Sequence, residues 1–178
     1  MRRILTSVVL IGFLFPALAL GEKMEDLVIT DGLHYKKFTD VPFTGGITGK
    51  VQGSFKKGNW DGPWVSYHDN GQLRSKGTYK DGKMDGPWVK YHYNGQLWTK
   101  GTYKDGKKED GPFFNYWDNG QLWNKGISKD GKSDGPYVRY KKDGQLHSKG
   151  YYKDGENDGS WVWYHDNGQL ASEGNYKG

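Results

Sequence analysis

Cysteine is absent from this chain of 178 residues, so no disulfide braces it and no thiolate can complete a zinc site. A strong charge of one sign is lacking too. Lysine plus arginine total 26 against 21 acidic residues, a formal net of +5. Without Arg2 and Arg3 the balance is 24 against 21, or +3, too weak to imply a nucleic-acid partner. A unique catalytic constellation is also missing. Serines, histidines and aspartates recur as repeat positions, and no nucleophile motif stands out. What the chain does have is 28 glycines, 13 tyrosines and 8 tryptophans. Aromatic-rich apolar runs between glycine turns point to an ordered all-β chain held by sheet pairing and ring packing.

Residues 1–20 read MRRILTSVVLIGFLFPALAL. Two arginines precede an uncharged apolar stretch, and Ala17-Leu18-Ala19 supplies small residues at cleavage spacing, the pattern of a secretory signal peptide. Residues 1–19 are therefore expected to be removed after Ala19, leaving a periplasmic or extracellular protein. The competing reading is an uncleaved membrane anchor, since ~20 apolar residues can span a bilayer. Pro16 and the small residues after it favour cleavage, and the lack of a following cysteine excludes a lipoprotein anchor.

The body of the chain is periodic. DGPWVSYHDNGQLRSKGTYKDGKM begins at Asp61 and returns in close variants from Asp85, Asp110, Asp134 and, truncated, Asp158. The period is 24 residues with one insertion near Glu109, which is the signature of a repeat array. Residues 42–60 form a degenerate first unit, with Gly53-Ser54-Phe55-Lys56 aligned on Gly77-Thr78-Tyr79-Lys80. Residues 20–41 do not fit the period. Leu27–Thr30 and Leu33–Tyr35 read as short strands around Asp31-Gly32, an N-terminal cap to an array over 42–178.

Within one unit, Trp64–His68 and Gln72–Lys80 are strand candidates joined by Asp69-Asn70-Gly71. A three-residue loop with Gly71 left-handed pairs Tyr67 with Leu73 and Val65 with Ser75, keeping apolar residues together. That register predicts two faces. One carries Val65, Tyr67, Leu73, Ser75, Gly77 and Tyr79; the other carries Trp64, Ser66, His68, Arg74, Lys76 and Thr78. The in-strand glycines are expected to lie beneath neighbouring aromatic rings.

The string YxNGQLxxKGxYKDGKxDGPW resembles the bacterial variant of the MORN repeat, and residues 42–58 resemble the first unit common in such proteins. The resemblance covers residues 34–178. It implies an elongated antiparallel meander of β-hairpins. Related eukaryotic arrays serve as scaffolds and as protein- or lipid-contact modules, and the bacterial variant often carries an antitoxin-like label. Here Gly-Pro-Trp stands where the eukaryotic pattern has a Gly-x-Gly pair.

The polar candidates read as structure. His68, His92 and His165 share one position, but Trp117 and Lys141 occupy it in the other units, so the histidines are read as exposed strand ends rather than metal ligands. The paired aspartates of Asp-Gly-Lys-x-Asp-Gly lack the further oxygen ligands of a calcium loop and read as turn chemistry. His34, Tyr35 and Asp40 are unrepeated but sit in an ordinary cap. No catalytic residue, metal or cofactor is expected.

Trp98 and Trp123 are different. They occupy a position held elsewhere by Arg74, His147 and Ala171, so the fold does not demand tryptophan there. The predicted register sets Trp98 opposite Lys90 and Trp123 opposite Asn115, with Lys100 and Lys125 flanking them on the same face. Lys76, Lys100, Lys125 and Lys149 are expected opposite the constant aromatic of their hairpins, within cation–π reach. The function expected is an exported, non-enzymatic scaffold for protein–protein interaction. The alternatives are a cell-wall or glycan-binding module and an antitoxin or immunity-type protein. A membrane would be met only through an uncleaved signal segment or weak lipid contact.

Overall fold

A computed structural model describes residues 21–177. The signal-peptide assignment, residues 1–19, lies outside them. Nearly all of the described chain is strand and turn, and its one helical element is a 3-10 turn at Met24–Asp26. Among the described residues no helix is long and apolar enough to cross a membrane.

The segment before the repeats pairs with the first unit of the sheet and adds a small sheet of its own. Glu22–Lys23 adds a short parallel strand to Gly45–Thr48. Leu27–Thr30 and Leu33–Lys36 form a separate two-stranded sheet around Asp31-Gly32, whose φ values of 51° and 78° are those of a type I′ turn. This hairpin closes a compact core built on Leu27, Ile47 and Phe55 with Phe43, Val51 and Trp60 around it. His34 joins it to the first unit. Its ring lies 4.5 Å from that of Phe55, and Nδ1 donates to the Gly58 carbonyl at 3.1 Å.

From Gly45 to Tyr176 the chain is one antiparallel meander. Each unit is a hairpin closed by the expected three-residue loop. Gly71 is left-handed at φ 82°, and the His68 N–H donates to the Gln72 carbonyl at 2.8 Å. Successive units are linked through Asp-Gly type I′ turns, with Asp81 at φ 48° and Gly82 at 79°. Some of the aspartates cap such a turn: Asp110 Oδ1 accepts the Asp130 N–H at 2.7 Å, whereas Asp85 faces Lys104 at 3.4 Å.

The Asn-Gly-Gln loop, Asp143-Gly144-Gln145 in one unit, also fastens one unit to the next. Asn70 Nδ2 donates to the Tyr93 carbonyl and Asn119 Nδ2 to the Lys142 carbonyl, both at 2.7 Å. The histidine position does the same one step inward. His68 Nε2 donates to the Tyr91 carbonyl (3.1 Å), His92 Nε2 to Tyr116 (2.7 Å), and Trp117 Nε1 to Tyr140 (3.3 Å), while Lys141 Nζ reaches the His165 carbonyl. The reading of these histidines as exposed strand ends is therefore corrected for His68 and His92. They are half-buried donors to the following repeat, and any side chain with a suitably placed N–H can stand there.

The register is right at the loop and wrong one step beyond it. Tyr67 pairs with Leu73, but Ser66, not Val65, pairs with Ser75; Val65 meets Lys76 and Trp64 meets Gly77. A bulge at Arg74 absorbs the extra residue, and the same shift recurs at Trp98, Trp123, His147 and Ala171. Two gains explain the slip. Ser66 Oγ and Ser75 Oγ come within 2.9 Å, and the large aromatic of each hairpin comes opposite a glycine. The two faces are thereby redrawn. Trp64, Ser66, Ser75, Gly77 and Tyr79 share one face, and Pro63, Val65, Lys76 and Thr78 the other.

Candidate partner-binding surface

The aromatic face is a ladder of rings. Trp64 and Trp88, from successive repeats, are 5.3 Å apart, with Tyr79 against both at 5.9 and 5.2 Å. At the far end Tyr137, Tyr152 and Trp161 repeat the cluster at 5.1, 4.9 and 6.0 Å. The glycines make room for it, as expected. A Cβ on Gly77 would stand 2.3 Å from the Trp88 ring, and one on Gly150 would stand 2.2 Å from Trp161. The indoles are further pinned by N–H donation, Trp88 Nε1 to the Thr78 carbonyl at 3.2 Å and Trp161 Nε1 to Tyr151 at 2.9 Å.

The ladder breaks where the extra residue enters. Gly101 is covered by the Lys108 side chain instead of a ring, and Lys108 Nζ lies 5.5 Å over Phe113. Burial of its stem, reinforced by the charge of Lys90, holds the Lys108 ammonium below its ordinary value, although the residue as a whole remains exposed.

Trp98 and Trp123 both sit at bulges on the aromatic face, so neither has the cross-strand partner the register predicted. Lys90 pairs with Thr99, and Asn115 with Asn124. The two indoles are not equivalent. Trp98 is 40% exposed, with Lys90 Nζ 5.9 Å over its ring and His92 at 5.9 Å. Trp123 is half-buried between Trp117, at 5.0 Å, and the Arg139 guanidinium, 5.9 Å over its ring, and its buried Nε1 has no acceptor. They share no ring contact with each other among the described residues; each leans on its own hairpin.

Lys100 and Lys125 do not flank them. Lys100 pairs with Val89, and Lys125 with Phe114 and Val138, which places both on the opposite face. The expected cation–π pairing of Lys76, Lys100, Lys125 and Lys149 with the constant aromatics is corrected for the same reason, since the bulge shifts every residue after it. Among the described residues the cations found over rings are Lys90, Lys108 and Arg139. Sequence reasoning set Lys90 against Trp98 but missed Lys108 and Arg139.

Over the strands Asn59–Tyr67, Leu73–Lys80, Gly86–Tyr91 and Leu97–Lys104 lies an open groove of about 440 Å³, lined by Trp64, Trp88, Arg74, Lys90, His92 and Trp98, and by no acidic side chain. Farther along, His147 is held below its ordinary value by burial and then by the charges of Arg139 and Lys141. Among the described residues no cluster of histidine and acidic side chains could hold a metal ion.

The profile of the MORN repeat variant family matches residues 60–81, 84–105, 109–130, 133–154 and 157–177. No curated protein sequence matches the chain. Seventeen chains of solved structure do, among them one titled "Crystal structure of GtfA/B complex bound to UDP and GlcNAc". That match is 12% identical, covers 89% of this chain and 27% of that one, and has a TM-score of 0.20, too low to carry any argument about shape or activity.

Proposed function

The chain belongs to the MORN repeat variant family, and on that premise we propose that it is an exported, non-enzymatic binding scaffold whose contact surface for a protein partner is the aromatic face around Trp98 and Trp123. One observation carries the choice of surface. The bulge position is filled by arginine, tryptophan, histidine or alanine in different units, so the sheet does not need the two tryptophans it holds there. A large, partly exposed indole at an unconstrained position is typical of binding hot spots. Trp123 adds to this, because a buried indole N–H without an acceptor costs about 1–3 kcal/mol, and an alanine would avoid that cost. Export rests on the pattern of residues 1–19. A toxin as the bound protein is a special case supported by the family resemblance alone.

The competing reading is a cell-wall or glycan-binding module acting through the same exposed rings. Mature protein offered periplasmic extract and isolated cell wall in parallel separates the two. A protein retained in stoichiometric amount from the extract, and lost when Trp98→Thr is used as bait, is the expected result. Retention on wall alone would overturn the proposal.

A further inference from the structure

We propose that the groove around Trp98 receives an acidic stretch of protein, with Arg74 and Lys90 taking its carboxylates and the tryptophans beside them its apolar groups. This rests on the protein-binding reading above and adds the chemical class of the partner.

The first ground is an imbalance of charge. Arg74 and Lys90 come from neighbouring repeats and line one groove that no carboxylate lines. Neither makes an ion pair among the described residues, and Lys108, close enough to Lys90 to feel its charge, makes none either. Elsewhere in the array some lysines do meet a carboxylate: Lys50–Asp69 at 2.7 Å, Lys141–Asp166 at 3.0 Å and Lys142–Asp118 at 2.6 Å. Those pairs sit at the loops. In the groove Lys90 lies over the Trp98 ring and Arg74 lines the same wall, an arrangement that an incoming carboxylate improves, bidentately at the guanidinium.

The second ground is that the fold asks for neither cation. Lys90 stands where other units have Ser66, Asn115, Arg139 and Trp163, and Arg74 stands where they have Trp98, Trp123, His147 and Ala171. The groove also favours a charged peptide over a neutral sugar ring. Trp98 is already engaged by Lys90 and His92, whereas among the described residues the two cations have no polar partner. Opposite charge across an interface adds selectivity and speeds encounter.

The test uses a fluorescein-labelled peptide of alternating glutamate and leucine, with its lysine–leucine counterpart as control, titrated against the full protein. Lys90→Ser and Arg74→Ala borrow residues that sister repeats already hold at those positions, so folding is preserved. Lys100→Ala removes an equal charge from the opposite face. The acidic peptide should bind and the basic one should not. K90S and R74A should each weaken binding roughly fivefold or more and K100A less than about twofold, with affinity falling as salt rises. No binding of the acidic peptide, or equal losses for K90S and K100A, would overturn the proposal. So would tighter binding of polygalacturonate or phosphatidylserine vesicles with the same dependence on Lys90 and Arg74. A captured partner that is lost with W98T but indifferent to K90S and R74A would sink this inference and leave the protein-binding reading standing.

Discussion

Gly77 and Gly101 hold the same repeat position yet should answer substitution in opposite ways. A Cβ on Gly77 meets the Trp88 ring at 2.3 Å, and that ring is pinned by its own N–H bond. At Gly101 the nearest atom is the Lys108 Cε at 2.8 Å, the far end of a flexible chain. Gly77→Ala is expected to cost about 1–3 kcal/mol through overpacking, and Gly101→Ala to be close to neutral. Urea unfolding of the two variants measures the difference. That glycines would lie under rings was legible in the sequence, because aromatic and glycine recur in phase. Which ring covers which glycine was not. At Gly77 and Gly150 the covering ring belongs to the next repeat, whereas at Gly126 the nearest ring is Phe113 of the same hairpin, and only the paired sheet decides between them. The histidine ladder was obscured in the same way, since donation to a carbonyl of the following unit leaves no mark on residue identity when tryptophan and lysine serve equally.

Among the strands, the junction between the second and third full units is the thinnest. Leu97–Lys104 meets Gly111–Tyr116 at Thr99↔Asn115 alone, whereas the last junction pairs at several positions from Ser148↔Trp163 to Lys153↔Glu156. The residue inserted near Glu109 falls at this junction, and Lys108 takes the place of a covering ring. Stability in such arrays passes between neighbours, so this junction should open first. Hydrogen exchange is expected to be faster at Thr99–Lys104 than at Ser148–Lys153; equal protection would contradict the seam. The ring clusters also set an alkaline limit. Burial raises the Tyr79, Tyr91 and Tyr137 phenols above their ordinary value of 10.0. The unfolded chain ionises these groups first, so stability should be level below about pH 10 and fall as pH rises above it. Denaturation midpoints measured alongside tyrosinate absorbance test that sign. The strands and turns were readable from spacing, but the bulge was not, because a one-residue slip is decided by packing rather than by alternation.

At the scale of the whole molecule, one sheet presents two unlike surfaces. One is a ladder of rings edged by Arg74, Lys90, Lys108 and Arg139; the other is Pro, Val, Thr and Lys, with Lys76, Lys100, Lys125 and Lys149 in a row. The period alone announced the array of hairpins. Trp98 and Trp123 stood out because they break the repeat's own pattern. Their neighbours were misjudged, since the predicted faces placed Lys100 and Lys125 beside them. Lysines on both surfaces make the assignment of the contact face directly measurable. Amine-reactive labelling of the free and partner-bound protein, read out by mass spectrometry, should show Lys90 and Lys108 losing reactivity on binding while Lys76, Lys100, Lys125 and Lys149 keep theirs. Protection of the second set with the first left reactive would contradict a binding scaffold that works through its aromatic face.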